Sequence, residues 1–277
     1  MIIIDMNQIS IAAIMMHLHM QKSKEPDGKM VRHMILNSVR MYRSMFNQRY
    51  GEVVLAYDSR NYWRRDFFPQ YKMNRKKSRD GDNKDWDAIF TVLNEMKEEY
   101  KQNLPYKFLE IDGAEADDII GVLCSTLEEP IMIVSGDKDF IQLQKYSNVH
   151  QYSPIQKKHI THENPTTYIK EHILKGDTSD GIPNVLSPDH TFTEGLRQKP
   201  LGKKRIESWL DRDDFDEEVK RNYQRNKMLI DLDQIPSWLV KQILDAYETA
   251  ACGDRSNLLN YFIAKRLKNL TETIGEF

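Results

Sequence analysis

The chain has 277 residues, of which 40% are hydrophobic and 30% charged, with 40 Lys and Arg against 42 Asp and Glu. This composition is typical of soluble proteins and excludes collagen-like, low-complexity and membrane classes. The two cysteines, Cys124 and Cys252, cannot form a disulfide framework, so we expect a reducing compartment, the cytoplasm. The segment Met1–Asp5 has neither a basic leader nor a sustained apolar run, so we expect no signal peptide and no membrane span.

Short apolar runs, partly β-branched, predict four strands at 2–4, 53–57, 106–111 and 131–134. Helical spacing of apolar residues predicts helices near 30–45, 86–96 and 116–127. Strands that alternate with helices predict an α/β fold with a mostly parallel central sheet flanked by helices. Helical patterns dominate from 203 to 270, with breaks at Pro236 and Gly253. We therefore expect an α/β domain over 1–180 and a smaller C-terminal helical domain over 181–277.

The segment 60–79 combines positive charge with aromatic residues. It contains eight Lys and Arg residues against one acid, Asp66, and five interleaved aromatic residues. This mixture suits a polyanion that carries stackable bases. A solvated charged loop is the alternative, but exposed aromatic surface is costly and disfavours it.

Acidic residues follow the predicted strands. Asp5 comes directly after the first strand and Asp58 ends the second, while Asp137 and Asp139 follow the strand at 131–135. Because the carboxyl ends of parallel strands share one edge of the sheet, these side chains are expected at one rim. Three more acids open the third predicted helix, where pairing with a helix N-terminus is the alternative interpretation. They are Glu115, Asp117 and Asp118.

Carboxylates a few ångströms apart repel one another strongly, so either cations are bound or the pKa values of the carboxyl groups rise. An all-oxygen site without Cys or His spacing suits Mg²⁺ or Mn²⁺ rather than zinc. Two such ions about 4 Å apart would stabilise the attacking and leaving oxygens of a phosphodiester displacement. An acidic rim beside a basic aromatic segment therefore predicts a metal-dependent nuclease.

Five ordered segments resemble the motifs of the 5′-nuclease (flap endonuclease) family, whose fold is PIN-like. They are 4–5, 57–58, 115–118, 135–140 and 175–183. Further segments, at 30–38, 62–67, 173–177 and 275–277, resemble the branch of this family from T-even phages. The resemblance covers nearly the whole chain.

The resemblance implies two sets of metal ligands. Those of the first, catalytic metal are Asp5, Asp58, Glu115 and Asp117, and those of the second are Asp137, Asp139 and Asp180. Asp118 and Asp177 match acids that are auxiliary in some relatives. Two Mg²⁺ ions, for which Mn²⁺ substitutes, are the implied cofactors, and a water molecule is the implied nucleophile.

The resemblance also makes the segment 60–85 a helical arch or clamp for a 5′ single strand, since 71–75 matches its Tyr-Lys-x-Asn-Arg motif. Lys72, Arg65 and Arg75 are the implied contacts of the scissile phosphate, where they would stabilise developing charge. Further DNA contacts are expected from Arg64, Tyr71, Lys76, Lys77, Arg79, Lys203, Lys204 and Arg205.

The sequence departs from the family pattern after the Gly-Ile-Pro run at 181–183. In the family this run continues into the glycine turn of a helix-hairpin-helix, often with bound K⁺. Here an irregular stretch reaches Pro200 before similarity resumes at 201–206, which predicts an interrupted hairpin. The basic residues 203–205 are still expected to contact the duplex backbone, with an ordinary exposed helix start as the alternative.

The implied function is that of a 5′-to-3′ exonuclease and flap endonuclease on DNA and RNA:DNA hybrids. In phage replication it would remove RNA primers and adjacent DNA from lagging-strand fragments. A single-strand DNA-binding protein and a sliding clamp are the implied partners, and the host cell cytoplasm is the implied location. We expect a monomer, because the sequence shows no coiled-coil repeat.

Three other functions share parts of this pattern. A haloacid-dehalogenase-like phosphatase needs a second Asp two residues after Asp5, and Asn7 stands there. A small PIN-type ribonuclease would lack the basic arch and the helical extension. A non-catalytic DNA-junction binder with the same fold stays open, and metal-dependent turnover separates it from a nuclease. Packing or surface roles are expected for His17, His19, His159, His162 and His172.

Overall fold

The computed structural model describes residues 1–212 and 214–277, with all side chains except those of residues 77 and 78. The strands of this part are β1 (Ile2–Asp5), β2 (Val53–Ala56), β3 (Lys107–Leu109), β4 (Ile131–Val134), β5 (Val149–Ser153) and β6 (Lys158–Ile160). They form one sheet with the order β3-β2-β1-β4-β5-β6. All neighbouring strands run parallel except β5 and β6, which confirms the mostly parallel sheet.

The helices flank this sheet or follow it in the chain. They are α1 (Met6–Gln21), α2 (Gly28–Tyr50), α3 (Trp63–Phe67), α4 (Met73–Asp80), α5 (Trp86–Asn103), α6 (Ala116–Thr126), α7 (Pro165–Lys175), α8 (Lys203–Trp209), α9 (Glu217–Ile230), α10 (Ser237–Thr249), α11 (Arg255–Ala264) and α12 (Lys268–Glu272). Short 3₁₀ helices lie at Lys138–Lys145, Leu232–Gln234 and Ile274–Glu276. The three helices predicted from apolar spacing are confirmed as α2, α5 and α6. Within the described ranges, none of the helices is both long and apolar enough to cross a membrane.

The sequence pattern missed β5 and β6. Gln151 and Ser153 of β5 are buried, and the Gln151 amide donates to the backbone oxygens of Ser135 and Asp137. These polar side chains interrupt the apolar run by which a buried strand is recognised, because a buried amide is tolerated only where it finds partners.

Each face of the central strand β1 packs against its own layer of helices. Ile2 and Ile4 belong to the core that includes α1, α2 and α5, while Ile3 belongs to the opposite core with α6 and α10. Successive side chains of a strand point to opposite faces, so burial of all of them requires helices on both sides. The expected flanking of the sheet by helices is thereby confirmed.

The helices after residue 230 contribute to both layers. Phe262 of α11 and Phe277 join the core on one face, and Leu239 and Ile243 of α10 join the core on the other. The predicted helical character of 203–270 is confirmed, and so are the breaks near Pro236 and Gly253. The division of the chain at 180/181 remains a prediction.

The stretch between α7 and α8 has irregular backbone that is held by side-chain hydrogen bonds. The Asn184 amide donates to the Lys199 carbonyl at 2.8 Å and its oxygen accepts the Ser187 hydroxyl at 2.9 Å. The buried Arg225 guanidinium donates to the Pro183 carbonyl at 2.7 Å. The predicted interruption between the Gly-Ile-Pro run and the next helix therefore appears as an ordered loop.

Glu99 ties α5 to two other helices. Its carboxylate accepts two hydrogen bonds from Arg32 of α2, at 2.6 and 2.9 Å, and further bonds from Tyr261 and Lys265 at 2.9 and 2.6 Å. Although burial desolvates the carboxyl group, the bonds from Arg32, Lys265 and Tyr261 hold its pKa below the ordinary value. The ionised form is therefore favoured in the folded chain.

We expect Glu99→Gln to lower the free energy of unfolding by about 1–3 kcal/mol at neutral pH, since charged bonds to three partners are lost. Because the folded pKa is depressed, this contribution is fully present above the unfolded pKa and disappears as the pH falls through the folded value. Urea unfolding of both proteins from pH 7 to pH 3 measures the difference. The control is Glu98→Gln, an exposed neighbour. A gap between Glu99→Gln and the parent that does not shrink in acid would contradict this account.

Candidate active site

Carboxylates lie at the carboxyl ends of three neighbouring strands, as predicted. Asp5 ends β1 and caps α1, where its oxygens accept the Gln8 amide and the Ser135 hydroxyl, both at 3.0 Å. Asp58, just after β2, accepts the Ala116 amide at 2.7 Å. Asp137 follows β4. The strand order places these ends side by side, where parallel sheets form their functional crevices.

Burial and mutual repulsion disfavour ionisation in this group. Desolvation, reinforced by the charges of Asp58 and Asp137, raises the pKa of Asp5 to about 7. Burial and the charge of Asp137 likewise raise the pKa of Asp117 well above its usual value. A nearby positive charge would return both groups to their ionised form.

The start of α6 holds Glu115 beside buried cations. Asp118 accepts the Glu115 amide at 2.9 Å, and both acids pair with Arg64, at 2.8 and 3.0 Å. The Trp63 indole also donates to Asp118 at 3.3 Å. Protein donors occupy both oxygens of Asp118, which therefore fixes the Glu115 backbone and the Arg64 guanidinium in place, and its expected auxiliary part in metal binding stays a prediction.

Arg64 and Tyr71 were predicted to contact DNA, and the structure corrects both assignments. Each side chain is 2% exposed. Arg64 also donates to the Leu229 carbonyl at 2.8 Å, and the Tyr71 hydroxyl lies 3.0 Å from both Glu115 and Asp180. Both side chains therefore lie in the protein interior, where they pair with acids that are themselves buried.

The base of the predicted arch is docked onto the loop 177–182. Lys72 donates its amide to the Asp180 carbonyl at 2.8 Å, and the Asn74 amide donates to the Thr178 carbonyl at 2.8 Å. This docking holds Lys72 in a left-handed conformation with a φ of 58°. Its ammonium lies 2.5 Å from Glu115 and 3.5 Å from Asp180, and Arg75 also pairs with Asp180. The arch residues thus contribute positive charge directly to the acidic group.

A second acidic group surrounds His172 of α7. The imidazole is 3.4 Å from Asp139 and 3.7 Å from Asp177. Burial and the charge of Asp137 raise the pKa of Asp139 to about 7. Burial desolvates Asp177 too, but His172 and Ser179 hold the pKa of Asp177 well below its usual value. A small cavity is lined in common by Asp117, Asp139, Asp177 and Asp180, and so joins the two acidic groups.

An open cleft of about 910 Å³ lies above the acids. Asp58 is part of its lining, and α1, α4 and α5 contribute further lining residues. Its cationic lining is Arg65, Lys72, Arg75, Arg79 and Lys97, and its aromatic lining is Tyr57, Tyr62, Trp86 and Phe90. Its cations offer contacts for phosphates and its aromatic rings offer contacts for bases.

Sequence reasoning missed Trp86 and Phe90 as lining of this cleft, because their helical spacing also fits a core face. The Arg79 guanidinium lies 5.2 Å from the Phe90 ring and 5.8 Å from the Trp86 ring, so basic and aromatic walls meet there. His172, for which a packing or surface role was expected, lies outside this cleft and between Asp139 and Asp177. Lys76 and the residues 203–205 are exposed, whereas the side chain of Lys77 lies outside the described part.

Comparison with known proteins assigns the family. The profile described as 5′-3′ exonuclease, N-terminal resolvase-like domain, matches residues 1–173, and that of the T4 RNase H C-terminal region matches residues 164–277. The chain belongs to the 5′-3′ exonuclease family. Membership of this family makes it a nuclease, a hydrolase of phosphodiester bonds.

Relatives of this exonuclease include the ribonuclease H of Enterobacteria phage T4, 34% identical over 99% of this chain and 95% of that protein. This match confirms the resemblance to the T-even phage branch. A 5′-3′ exonuclease of Buchnera aphidicola is 33% identical over 54% of each chain. DNA polymerase I of Lactococcus lactis is 30% identical over 48% of this chain and 16% of its own length.

Solved structures share the fold of this exonuclease. The D15 protein of phage T5 co-crystallised with metal ions aligns with a TM-score of 0.61 at 16% identity, over 89% of this chain and 98% of that chain. The T5 D15 flap endonuclease in a pseudo-enzyme–product complex with DNA and metal ions aligns with a TM-score of 0.60 at 18% identity, over 90% and 99%. These likenesses confirm the α/β fold.

We expect Arg64→Met to lower the free energy of unfolding by about 3–5 kcal/mol, because it leaves Glu115 and Asp118 buried without their shared cation. Arg65→Met is the matched control, since Arg65 is the exposed neighbour and its loss should cost about 0.5 kcal/mol or less. Guanidinium unfolding curves of the three proteins provide the comparison. Equal stability of the two variants would show that the Arg64 pairs contribute little.

Proposed function

We propose that this exonuclease is a metal-dependent 5′ nuclease, acting as a 5′-to-3′ exonuclease and flap endonuclease on DNA and RNA:DNA hybrids. Its role is the removal of RNA primers and adjacent DNA from lagging-strand fragments in phage replication. The observation that carries the proposal is the cleft lined by Asp58 and by basic and aromatic side chains, where Lys72 of the same lining contacts the buried Glu115. Such a cleft combines phosphate binding with the ligands of divalent cations.

The acidic group fits two divalent cations. The nine acids that the sequence analysis gave as metal ligands or auxiliary acids all lie in the two acidic groups. Within the described residues, the permanent cations that pair with them are Arg64, Lys72 and Arg75, so negative charge is in excess. Burial, and after it the charge of neighbouring carboxylates, raises the pKa values of Asp5, Asp117 and Asp139. We assign Asp5, Asp58, Glu115 and Asp117 to one ion and Asp137, Asp139 and Asp180 to the other. Hydrated Mg²⁺, or Mn²⁺ in its place, would supply an acidic water and neutralise phosphate charge.

The arch residues act on the phosphate. Lys72 lines the cleft and also contacts Glu115, so its ammonium lies at the boundary between the acids and the substrate space. A scissile phosphate in the cleft would accept hydrogen bonds from Lys72, Arg75 and Arg65. Charge-assisted bonds of this kind stabilise the negative charge that develops on the phosphate oxygens in the transition state.

The 5′ single strand is assigned to the passage between α4 and α5. Arg79 and Lys76 of α4 would contact its phosphates, and Trp86 and Phe90 of α5 would stack on its bases, while the expected DNA contact of Lys77 rests on the sequence alone. The duplex is assigned to the surface at the start of α8, where Lys203, Lys204 and Arg205 would contact its backbone. Backbone contacts without base readout suit an enzyme that acts at any sequence.

The replication role implies further associations. We propose that the exonuclease acts as a monomer in the host cell cytoplasm, with a single-strand DNA-binding protein and a sliding clamp as partners. The α/β part, 1–180, would carry the chemistry, and the helical part, 181–277, would complete the duplex-binding surface.

Asp137→Asn and Asp58→Asn are expected to abolish cleavage but to leave duplex binding within about threefold, because ligand charge is lost while the basic surfaces persist. The substrates are a 5′-labelled flap duplex and a 5′-labelled RNA:DNA hybrid, with Mg²⁺ or with chelator. Gel analysis of products and band-shift titration measure the two properties. The control variant is Asp66→Asn, which removes an exposed acid that does not line the cleft.

The outcomes separate the candidate functions. Short products from the 5′ end, formed only with metal and lost in both aspartate variants, support the nuclease. Binding of the flap duplex without cleavage by the parent protein would replace the proposal with the DNA-junction binder. Full turnover in both variants would overturn the assignment of the metal ligands.

Phe90→Ala should weaken binding of a 5′-flap duplex by about 5- to 100-fold, the equivalent of one lost base–aromatic stack. Binding of a blunt duplex should not change, since no single strand then enters the passage. Fluorescence anisotropy in chelator measures both affinities without cleavage. Trp238→Ala is the control, because Trp238 is half exposed but lies outside the cleft. Equal losses for flap and blunt duplexes would refute the assigned strand path.

A further inference from the structure

His172 carries an imidazole, 16% exposed, that the metal assignment above does not use. It lies on α7, where the Gly176 amide donates to the His172 carbonyl at 2.8 Å and ends the helix. The adjacent Ile173 carbonyl accepts the Asn226 amide at 2.8 Å, and the Tyr168 ring packs against the imidazole at 6.0 Å. Backbone and ring are therefore held in place before any ligand binds.

The imidazole lies between two carboxylates. Its Nδ1 is 3.4 Å from Asp139 Oδ1, and its Nε2 is 3.7 Å from Asp177 Oδ2. Nδ1 is buried and lacks a hydrogen bond of good geometry. One ligand atom from each of these three residues lies within 4.8 Å of the other two. Two metal–ligand bonds of about 2.1 Å separate their ligand atoms by up to about 4.2 Å, so small side-chain rotations are enough to bring the three atoms onto one cation.

The surroundings leave room for the ion and its water. His172, Asp139 and Asp177 line a pocket of about 420 Å³ together with Asp137. Ser179 holds Asp177 with two bonds of 2.7 Å to Oδ1, so Oδ2 is the oxygen that faces the imidazole. Asp180 by contrast is engaged by Arg75 and Tyr71. The oxygen of Asp177 is thus better placed than Asp180 for an ion at this position.

We propose that His172 donates a nitrogen ligand to the second divalent cation, with Asp139 and Asp177 as its carboxylate partners, so that Asp177 takes the place of Asp180 in the ligand set assigned above. The inference deepens the proposed function, on which it rests. Imidazole suits transition metals, whereas Mg²⁺ prefers oxygen ligands. The second site therefore selects Mn²⁺ over Mg²⁺ more strongly than an all-oxygen site would.

Pulsed electron paramagnetic resonance of the full chain with Mn²⁺, in the absence of DNA, tests the ligand directly. The parent protein should show nitrogen coupling to Mn²⁺, and labelling of its histidines with ¹⁵N should change that coupling. His172→Gln should lose the signal and bind the second Mn²⁺ at least about tenfold more weakly. His162→Gln, which changes a histidine outside the acidic group, should match the parent protein.

The possible results test the role of His172 separately from the proposed nuclease function. Two bound Mn²⁺ ions without nitrogen coupling would overturn the role of His172 and leave the nuclease proposal intact. No bound Mn²⁺ at all would overturn the metal centre itself. The ¹⁵N experiment on the parent protein decides the matter even if His172→Gln does not fold. Calorimetric titration should also show that His172→Gln lowers the affinity for Mn²⁺ more than that for Mg²⁺.

Discussion

Repulsion among carboxylates is the constraint around which the rest of this exonuclease is arranged. Acids from several segments share a small, largely buried space, and burial removes the water that would screen them. The fold offsets part of this cost with backbone amides, as at Asp5 and Asp58, and part with the buried guanidinium of Arg64. Lys72 and Arg75 bring further positive charge from the arch. The negative charge that remains uncompensated favours the binding of cations.

The parallel sheet determines where these charges meet. With β1 between β2 and β4, three strand ends open onto one edge, and α6 begins at the same edge. Helices on both faces are needed to bury the strands, and α5 consequently lies where its Trp86 and Phe90 border the cleft. The need to bury both faces of the parallel sheet therefore accounts for the positions of the strand-end acids and of the aromatic residues beside the cleft.

Much of this could be predicted from sequence, since the strand-end position of Asp5, Asp58 and Asp137 follows from local pattern. The rest depends on contacts distant in the chain. Arginine is usually a surface residue, and Arg64 is buried only because it pairs with acids about fifty positions later in the chain. His172 carries no metal-like spacing because its partner Asp139 comes from another element. A pattern within one segment cannot encode such pairings.

The docking of Lys72 onto Asp180 also has a consequence for biosynthesis. The basic segment leaves the ribosome about a hundred residues before Asp180 does, and N-terminal parts of a chain can begin to fold first. A nascent chain can therefore expose its phosphate-binding groups while the acidic floor is still incomplete. In the folded chain Lys72 is held by Asp180 through both its amide and its ammonium, so the basic and acidic groups become neighbours only once the loop 177–182 is in place.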